Sequence, residues 1–259
     1  MIYYIFLFIL GACVGSFLNV CIYRLPKNES IVNPPSHCPK CNKLIAWYDN
    51  IPFISYIILG AKCRHCKTRI TFRYFLVELL TAIVFAALYG QFGLTAKCFI
   101  MLILSGAMIV STFIDFEYQI IPDEITLGGA AVGLILSVVF PGIHGQNNFI
   151  FGGLYSIFGI LAGGMSIYLM GAAGQMIFRK EAMGGGDVKY MSMIGAFLGW
   201  KMVLLTFFLA PFFGSIVGII AKLKYKQDII PYGPYLSIAA FVSTIWGERI
   251  LDYFFFRIY

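Results

Sequence analysis

The chain has 259 residues, of which 60% are hydrophobic and only 12% are charged, and its mean hydropathy is +0.84. Soluble globular proteins carry about 25% charged residues, so this composition excludes an ordinary soluble domain. Apolar runs of about 20 residues recur along the sequence, and each is long enough to cross a bilayer as a helix. We therefore predict an all-α polytopic membrane protein in contact with lipid.

The formal net charge is +7, but the basic residues are unevenly distributed. Nine of them lie between the first two apolar runs, six flank two later loops, and only four remain for the opposite side. This is the positive-inside pattern of cytoplasmic loops and not a nucleic-acid-binding stripe, so we predict no nucleic-acid partner. The nine are Arg24, Lys27, Lys40, Lys43, Lys62, Arg64, Lys67, Arg69 and Arg73; the six are Arg179, Lys180, Lys189, Lys222, Lys224 and Lys226; the four are Lys97, Lys201, Arg249 and Arg257.

About eight spans are predicted in chain order: 2–23, 74–89, 96–116, 125–140, 150–178, 188–200, 202–221 and 235–256. The first has a basic loop after it and no basic residue before it, which predicts a retained span with its N-terminus outside. The sixth is short and is expected to be tilted or to cross incompletely. The chain thus divides into a first transmembrane helix (1–23), a small cytosolic loop (24–73) and a transmembrane core (74–259).

Three glycine pairs at GxxxG spacing lie within these spans, and we interpret them as helix-packing sites because small residues let helices approach closely in lipid. The pairs are Gly129/Gly133, Gly159/Gly163 and Gly214/Gly218.

The hydrophilic loop 24–73, which we call the cysteine loop, contains two Cys-x-x-Cys pairs. Cys38 and Cys41 form the first, Cys63 and Cys66 the second, and 21 residues separate the pairs. This spacing is typical of a zinc ribbon, in which four thiolates form a closed tetrahedral site with no open position for catalysis. We predict a structural zinc ion there. Reduced free thiols are the alternative, because a cytosolic location disfavours disulfides.

Two aspartates are the candidate catalytic residues. Asp115 ends the third predicted span, and Asp187 begins the sixth, directly after Gly184, Gly185 and Gly186. The predicted topology puts both at the cytoplasmic face. Two close carboxyl groups share one proton, so one can deprotonate a water while the other protonates a peptide carbonyl oxygen. The alternatives are a headgroup-level helix end for Asp115 and a helix cap within a flexible glycine loop for Asp187.

Other acidic residues have less certain roles. Glu78 lies inside the second span, where a charge is costly, and Arg73 is its expected partner; a functional role stays open. Glu117, Asp123 and Glu124 are interpreted as solvated or capping residues, with Asp123 able to cap the following helix.

Taken together, these motifs resemble those of the type IV prepilin peptidases, nearly from end to end. The matching segments are 15–20 with 24–26, the two cysteine pairs with 47–52 between them, 73–78, 114–123, the GxGD box 184–189, and 230–234, in which Tyr232 replaces the usual phenylalanine. The resemblance implies a bacterial inner-membrane aspartic endopeptidase with Asp115 and Asp187 as its catalytic pair, Gly184, Gly185 and Gly186 as the backbone of the catalytic loop, and 74–259 as its core.

The resemblance further implies that the substrate is a prepilin or pseudopilin leader, cut after a glycine at the cytoplasmic face, and that S-adenosylmethionine methylates the new N-terminus. The residues themselves reveal no Rossmann motif. The donor is therefore expected between the cysteine loop and the cytoplasmic helix ends, with Glu78 as a possible contact. A preflagellin- or signal-peptide-type protease without methyltransferase activity is one alternative. A non-enzymatic transporter or assembly subunit with a structural zinc module is another.

Overall fold

The computed structural model describes residues 1–179, 183–225 and 231–256, and within them the chain forms helices without a β-strand. The predicted all-α fold is confirmed. Lys180, Lys226, Ile230 and Arg257, which entered the predictions above, lie outside the described residues. The helices are α1 (Ile2–Arg24), α2 (Ile54–Ile58), α3 (Phe72–Phe92), α4 (Ala96–Tyr118), α5 (Asp123–Val139), α6 (Phe149–Phe178), α7 (Gly185–Tyr225) and α8 (Gly233–Phe256).

Five of these regions are long and apolar enough to cross a membrane: Ile2–Lys27, Phe72–Phe92, Ala96–Tyr118, Phe149–Ile177 and Gly185–Ile216. The chain is therefore a polytopic membrane protein. Helix α5 has only 17 residues, which is short for a full crossing of the hydrocarbon layer. The number of eight spans stays a prediction.

Helices α1 and α3 form a close antiparallel pair. A Cβ built on Gly11 would lie 2.7 Å from the Cα of Ala82, and one built on Gly15 would lie 2.7 Å from the Cα of Glu78. Further along α1, the side-chain amide of Asn19 donates to the carbonyl oxygen of Tyr74 at 3.0 Å. These contacts fix the register of the pair and put Glu78 against α1, next to the cysteine loop.

Helix α7 turns back on itself at Gly199. This residue has φ 76° and ψ 171°, a backbone conformation that glycine alone adopts readily. Met191 and Val203 lie on either side of the break, and both contact the same position on α6, Gly163. Residues 12 apart in a straight helix would be about 18 Å apart, so the two arms run side by side. The break falls at the predicted end of the short sixth span, although the helix begins earlier, at Gly185.

The glycine pairs on α5 and α6 are packing sites, as predicted. Gly159 crosses α7 at Gly195 so closely that a Cβ on either residue would overlap the other's carbonyl oxygen. On α5, Cβ atoms at Gly129 and Gly133 would lie 2.5 Å from Met193 Sδ and 2.7 Å from Phe197 Cδ2.

We expect Gly159→Ala to destabilise the protein even though alanine favours helices by about 1 kcal/mol over glycine. The added methyl group must displace α7, and overpacking of this kind costs about 1–3 kcal/mol. Gly128→Ala is the matched control, since no atom of the described residues lies within 4 Å of a Cβ built there. Thermal unfolding in detergent should show a lower midpoint for Gly159→Ala and an equal or higher one for Gly128→Ala. A rise in both variants would contradict this packing.

Candidate active site and metal centre

The four cysteines of the cysteine loop come together in the structure. The sulfur atoms of Cys38, Cys41, Cys63 and Cys66 all lie within 4.8 Å of one another, and those of Cys38 and Cys66 are 3.8 Å apart. Four sulfurs at 2.3 Å from a tetrahedral zinc ion would be separated by about 3.8 Å. The donor set therefore fits zinc.

Each cysteine pair lies on the same type of turn. The N–H of Asn42 donates to the carbonyl of Cys38 at 2.8 Å, and the N–H of Lys67 donates to that of Cys63 at 3.0 Å. Asn42 and Lys67 adopt left-handed conformations with φ of 54° and 58°. Both turns thus direct two thiols towards one point, as tetrahedral zinc sites require.

Hydrogen bonds favour thiolates in the second turn. The N–H groups of Cys66 and His65 lower the pKa of the Cys63 thiol, because they stabilise its charged form. Cys66 Sγ lies 3.4 Å from the Thr68 hydroxyl oxygen, and hydrogen bonding with the side chain and backbone of Thr68 lowers the pKa of that thiol to about 6. Since metals bind the thiolate, both effects favour metal binding. In the first turn, by contrast, desolvation and the neighbouring cysteines raise the pKa of the Cys41 thiol to about 11.

Glu78 is held by the cysteine loop and not by Arg73. Its Oε2 accepts a 3.0 Å hydrogen bond from the N–H of Phe53, whereas Arg73 forms an ion pair with Glu117. The expected Glu78–Arg73 pair is therefore wrong, whereas Glu117 is exposed, as expected for a solvated residue, and also pairs with Arg73. The physical reason is that the loop folds down onto α3 and supplies a backbone donor. The Arg73–Glu117 pair joins the start of α3 to the end of α4, so the cysteine loop and Asp115 lie at the same end of the helices.

A cavity of about 380 Å³ lies between the cysteine loop and these helix ends, where the methyl donor was expected. Its lining includes Asn19, Tyr56, Arg73, Tyr74 and Glu78. Two buried polar atoms in this lining, Asn19 Oδ1 and Arg73 Nε, have no hydrogen-bond partner among the described residues. Buried polar atoms are usually paired, so the cavity is suited to a polar ligand.

Asp115 and Asp187 lie on different helices at one site. Asp115 is in the last turn of α4 and is 6% exposed, and its Oδ2 accepts a 2.9 Å hydrogen bond from the N–H of Gly233. Asp187 is in the first turn of α7, where its N–H donates to the carbonyl oxygen of Gly184 at 3.1 Å. The glycines next to these two side chains, Gly186 and Gly233, both lie against Ile121.

Ile121 lies between the segment that carries Asp187 and Gly233, the residue that bonds Asp115. A Cβ built on Gly186 would lie 3.6 Å from Ile121 Cβ, and one built on Gly233 would lie 3.3 Å from Ile121 Cδ1. The same Cβ on Gly233 would be only 2.7 Å from Asp115 Oδ2. A side chain at position 233 would therefore displace the Asp115 carboxyl group.

The glycine run differs from its expected form as a loop. Helix α7 begins at Gly185, so Gly185 and Gly186 belong to its first turn and only Gly184 precedes it. No atom of the described residues lies within 4 Å of a Cβ built on Gly185. Among the described residues, nothing packs against Gly185, so the backbone there is free of side-chain contacts.

A hydrogen-bond network that the sequence analysis did not identify joins α4, α7 and α8 beside the aspartates. Ser237 Oγ contacts the Tyr190 hydroxyl at 2.6 Å, the Thr112 hydroxyl at 2.7 Å and the carbonyl oxygen of Gly233 at 2.9 Å. A hydroxyl has one donor and two acceptor positions. Because Ser237 donates to Gly233, Tyr190 and Thr112 must both donate to Ser237. The only sequence signal was spacing, since Tyr190 follows Asp187 by three residues and Thr112 precedes Asp115 by three.

The loop acid Asp123 does not cap α5. It is the first residue of that helix, the N-cap is Pro122, and the Asp123 carboxylate forms an ion pair with Lys189 at 2.8 Å. Lys189 lies on α7, so the pair ties α5 to the helix that carries Asp187. Glu124 is exposed, as expected for a solvated residue.

Comparison with known proteins identifies the family. Residues 9–92 match the family described as the bacterial peptidase A24 N-terminal domain, and residues 102–219 match the type IV leader peptidase family. A prepilin leader peptidase/N-methyltransferase of Pseudomonas aeruginosa is 34% identical over 93% of this chain and 90% of its own length. The chain belongs to the type IV leader peptidase family. It is therefore an integral protein of the inner membrane.

Other members of the type IV leader peptidase family show the same relationship. The protein of the same name from Neisseria gonorrhoeae is 31% identical over 93% of this chain and 90% of its own length. The one from Myxococcus xanthus is 41% identical over 85% of this chain, which spans 63% of that relative. No solved structure matches the chain. These relatives favour the peptidase interpretation over the transporter or assembly subunit.

Proposed function

We propose that this protein cleaves the leader from type IV prepilins or pseudopilins and methylates the new N-terminus. Cleavage follows a glycine at the cytoplasmic membrane face, with the N-terminus of the enzyme outside. The observation that supports the peptidase most directly is that Gly186, next to Asp187, and Gly233, which bonds Asp115, both lie against Ile121, although two helices separate the aspartates in the sequence. The names of the relatives support both activities.

In hydrolysis, one aspartate acts as the general base and the other as the general acid. The ionised carboxylate takes a proton from a water, whose oxygen attacks the carbonyl carbon of the scissile peptide bond. The neutral carboxyl group protonates the carbonyl oxygen. When the tetrahedral intermediate collapses, the C–N bond breaks, the leaving amine takes the proton that the first carboxyl group removed from water, and one hydroxyl of the intermediate returns its proton to the second carboxyl group. The Gly233 N–H, bonded to Asp115 Oδ2, orients that carboxyl group throughout.

The methyl donor, S-adenosylmethionine, fits the cavity beneath the cysteine loop, where it would supply an electrophilic methyl group. The tyrosines in the lining can stack on its adenine ring, and Asn19 Oδ1 and Arg73 Nε can bond its polar groups. Of the acidic residues in the lining, Glu78 is the one available to contact the substrate amine, because Asp49 and Glu117 are already paired with arginines. Its carboxylate can hold the attacking amine, whose reference pKa of about 8 demands only mild deprotonation.

Zinc has a structural role in this proposal. Cys38, Cys41, Cys63 and Cys66 would hold it, and the closed four-thiolate set leaves no position for substrate. The match of residues 9–92 to the bacterial N-terminal domain supports a prepilin enzyme over a preflagellin- or signal-peptide-type protease.

The proposal is tested by incubating the purified protein in lipid with a prepilin, with and without S-adenosylmethionine, and by analysing the pilin by mass spectrometry. We expect loss of the leader in both reactions and a gain of one methyl group only with the donor. An intact prepilin would refute the peptidase, and a cleaved but unmethylated product would support the alternative without methyltransferase activity.

We expect Tyr190→Phe to slow cleavage by roughly fivefold, because one hydrogen bond of about 1 kcal/mol is lost from the network that positions the two aspartates. The loss should fall on kcat and leave KM nearly unchanged, since Tyr190 is fully buried and does not face substrate. Tyr155→Phe, in the same helix bundle but with its ring against His144, is the control and should keep full activity. Unchanged kcat in Tyr190→Phe would show that the network does not position the aspartates.

A further inference from the structure

The apolar segment 51–60 of the cysteine loop lies at the depth of the membrane-crossing helices. Phe53 donates its N–H to Glu78, which is six residues into α3 and therefore about 9 Å along that helix from its start. The Phe53 ring reaches Phe8, with centroids 6.0 Å apart, and Phe8 is sixteen residues before the end of α1, or about 24 Å. If α1 and α3 cross the bilayer, this segment enters it beside them.

The composition of the segment suits this depth. Residues 51–60 include no charged side chain, and Ser55 is the only strongly polar residue besides the Tyr56 hydroxyl. The Ser55 hydroxyl is satisfied locally, since it donates to the Tyr48 carbonyl at 2.9 Å and accepts from the Ile51 N–H at 3.0 Å. An apolar run of about 10 residues is too short to span a bilayer and is typical of a re-entrant or interfacial segment.

The backbone of the segment is also paired, as hydrocarbon requires, because no water is available there to bond free N–H groups. The N–H of Ile57 donates to the carbonyl of Phe53, and that of Leu59 to Ser55, both at 3.0 Å. Phe53 itself has φ 61°, which is rare for a residue other than glycine. As the N-cap residue of α2, Phe53 has no partner for its N–H within that helix, and the Glu78 carboxylate supplies one.

The outer face of the segment is apolar and open. Ile54, Ile57 and Ile58 are 52%, 69% and 73% exposed, while on the inner face Tyr56 packs against Phe75 of α3 with ring centroids 5.5 Å apart. In water, such a cluster of exposed isoleucines would be unfavourable. Phe72 of α3, whose ring centroid lies 6.5 Å from that of Tyr56, is also 59% exposed, as expected for a lipid-facing residue of a membrane-spanning helix.

We propose that residues 51–60 form a re-entrant segment whose isoleucine face contacts lipid acyl chains, and that Glu78 anchors it by accepting the Phe53 N–H. The zinc-binding turns of the cysteine loop then stand in the cytosol, outside the re-entrant segment. This also accounts for an acid within a membrane-spanning helix, independently of any role in methyl transfer.

Fluorescence quenching tests the depth of the segment. The chain has three tryptophans, so a background of Trp47→Phe, Trp200→Phe and Trp246→Phe carries none. Ile57→Trp is compared in this background with Leu44→Trp, which is similarly exposed at 62% but lies beside the zinc-binding turns. In vesicles of phosphatidylcholine and phosphatidylglycerol with brominated acyl chains, we expect severalfold stronger quenching of Ile57→Trp than of Leu44→Trp. Aqueous acrylamide should give the reverse order.

Equal quenching of both positions by the brominated chains, or stronger acrylamide quenching at position 57, would overturn the proposal. Bound zinc serves as the folding check for each variant. If the tryptophan-free background fails that check, a photo-reactive benzoylphenylalanine at position 57 of the otherwise unchanged chain should cross-link to lipid, and one at position 44 should not; equal cross-linking overturns the proposal.

The anchor is tested in the Ile57→Trp protein. Glu78→Gln keeps an acceptor oxygen and should preserve quenching by the brominated chains, whereas Glu78→Leu leaves the Phe53 N–H without a partner and should reduce it at least twofold. Undiminished quenching in Glu78→Leu would contradict the anchoring role of Glu78.

Discussion

Replacing either Asp115 or Asp187 with asparagine is expected to lower the rate of prepilin cleavage by about a thousandfold or more. Loss of a general acid or base typically costs 10²–10⁴ in rate, and here each carboxyl group depends on the other for its share of the single proton. Asparagine keeps the size of the side chain at both positions. At position 115 its amide oxygen can still accept the hydrogen bond from the Gly233 N–H. The effect should therefore appear in kcat of a folded protein, measured by the rate of leader release.

Asp123→Asn is the matched control for both variants. Asp123 lies at the same end of the bundle, but its side chain is 55% exposed and is paired with Lys189. Exposed ion pairs contribute only about 0–1 kcal/mol, so cleavage should stay within about twofold of the unchanged protein. Comparable losses in all three variants would indicate a general electrostatic effect of the acidic face instead of a catalytic pair.

Cys38→Ser is expected to remove the metal and unfold the zinc-binding turns. A structural zinc ion contributes about 10–16 kcal/mol in small zinc domains, far more than two short turns gain from their own hydrogen bonds. Metal analysis should fall from one zinc per chain to nearly none, and limited proteolysis should cut within 24–73. Because the cavity lies under this loop, methylation should fall more than cleavage.

Cys13→Ser provides the comparison, since Cys13 is an exposed thiol on α1 outside the four-cysteine cluster. It should keep its zinc and both activities. Absence of zinc from the unchanged protein, together with normal folding of Cys38→Ser, would refute the metal centre. A selective loss of cleavage in Cys38→Ser would contradict the assignment of the loop to methylation.

Local patterns in the sequence were enough to predict most of the helices and both cysteine turns. Hydrophobic runs place α1, α4 and α6 within a few residues of their bounds, because a helix in lipid must satisfy its own backbone. The break at Gly199 followed from the short sixth span. Cys38 and Cys63 were assigned to one cluster because Cys-x-x-Cys spacing implies a turn.

Contacts between distant segments could not be predicted in this way. Gly233 bonds Asp115 across 118 positions, and Tyr190 bonds Ser237 across 47. Nothing in the local sequence distinguishes Tyr190 or Ser237 from ordinary buried helix residues. Glu78 was assigned to the nearest cation, although its partner is the backbone N–H of Phe53, which lies 25 positions away in the sequence.

Methylation of a pre-cut pilin by Asp187→Asn tests the central claim most directly, namely that one membrane face carries two separate sites. The substrate is a pilin whose N-terminus is already free, and the readout is the gain of one methyl group from S-adenosylmethionine. We predict that Asp187→Asn, which cannot cleave prepilin, methylates this substrate at close to the rate of the unchanged protein. Loss of methylation in a folded, zinc-containing Asp187→Asn protein would contradict the two-site account.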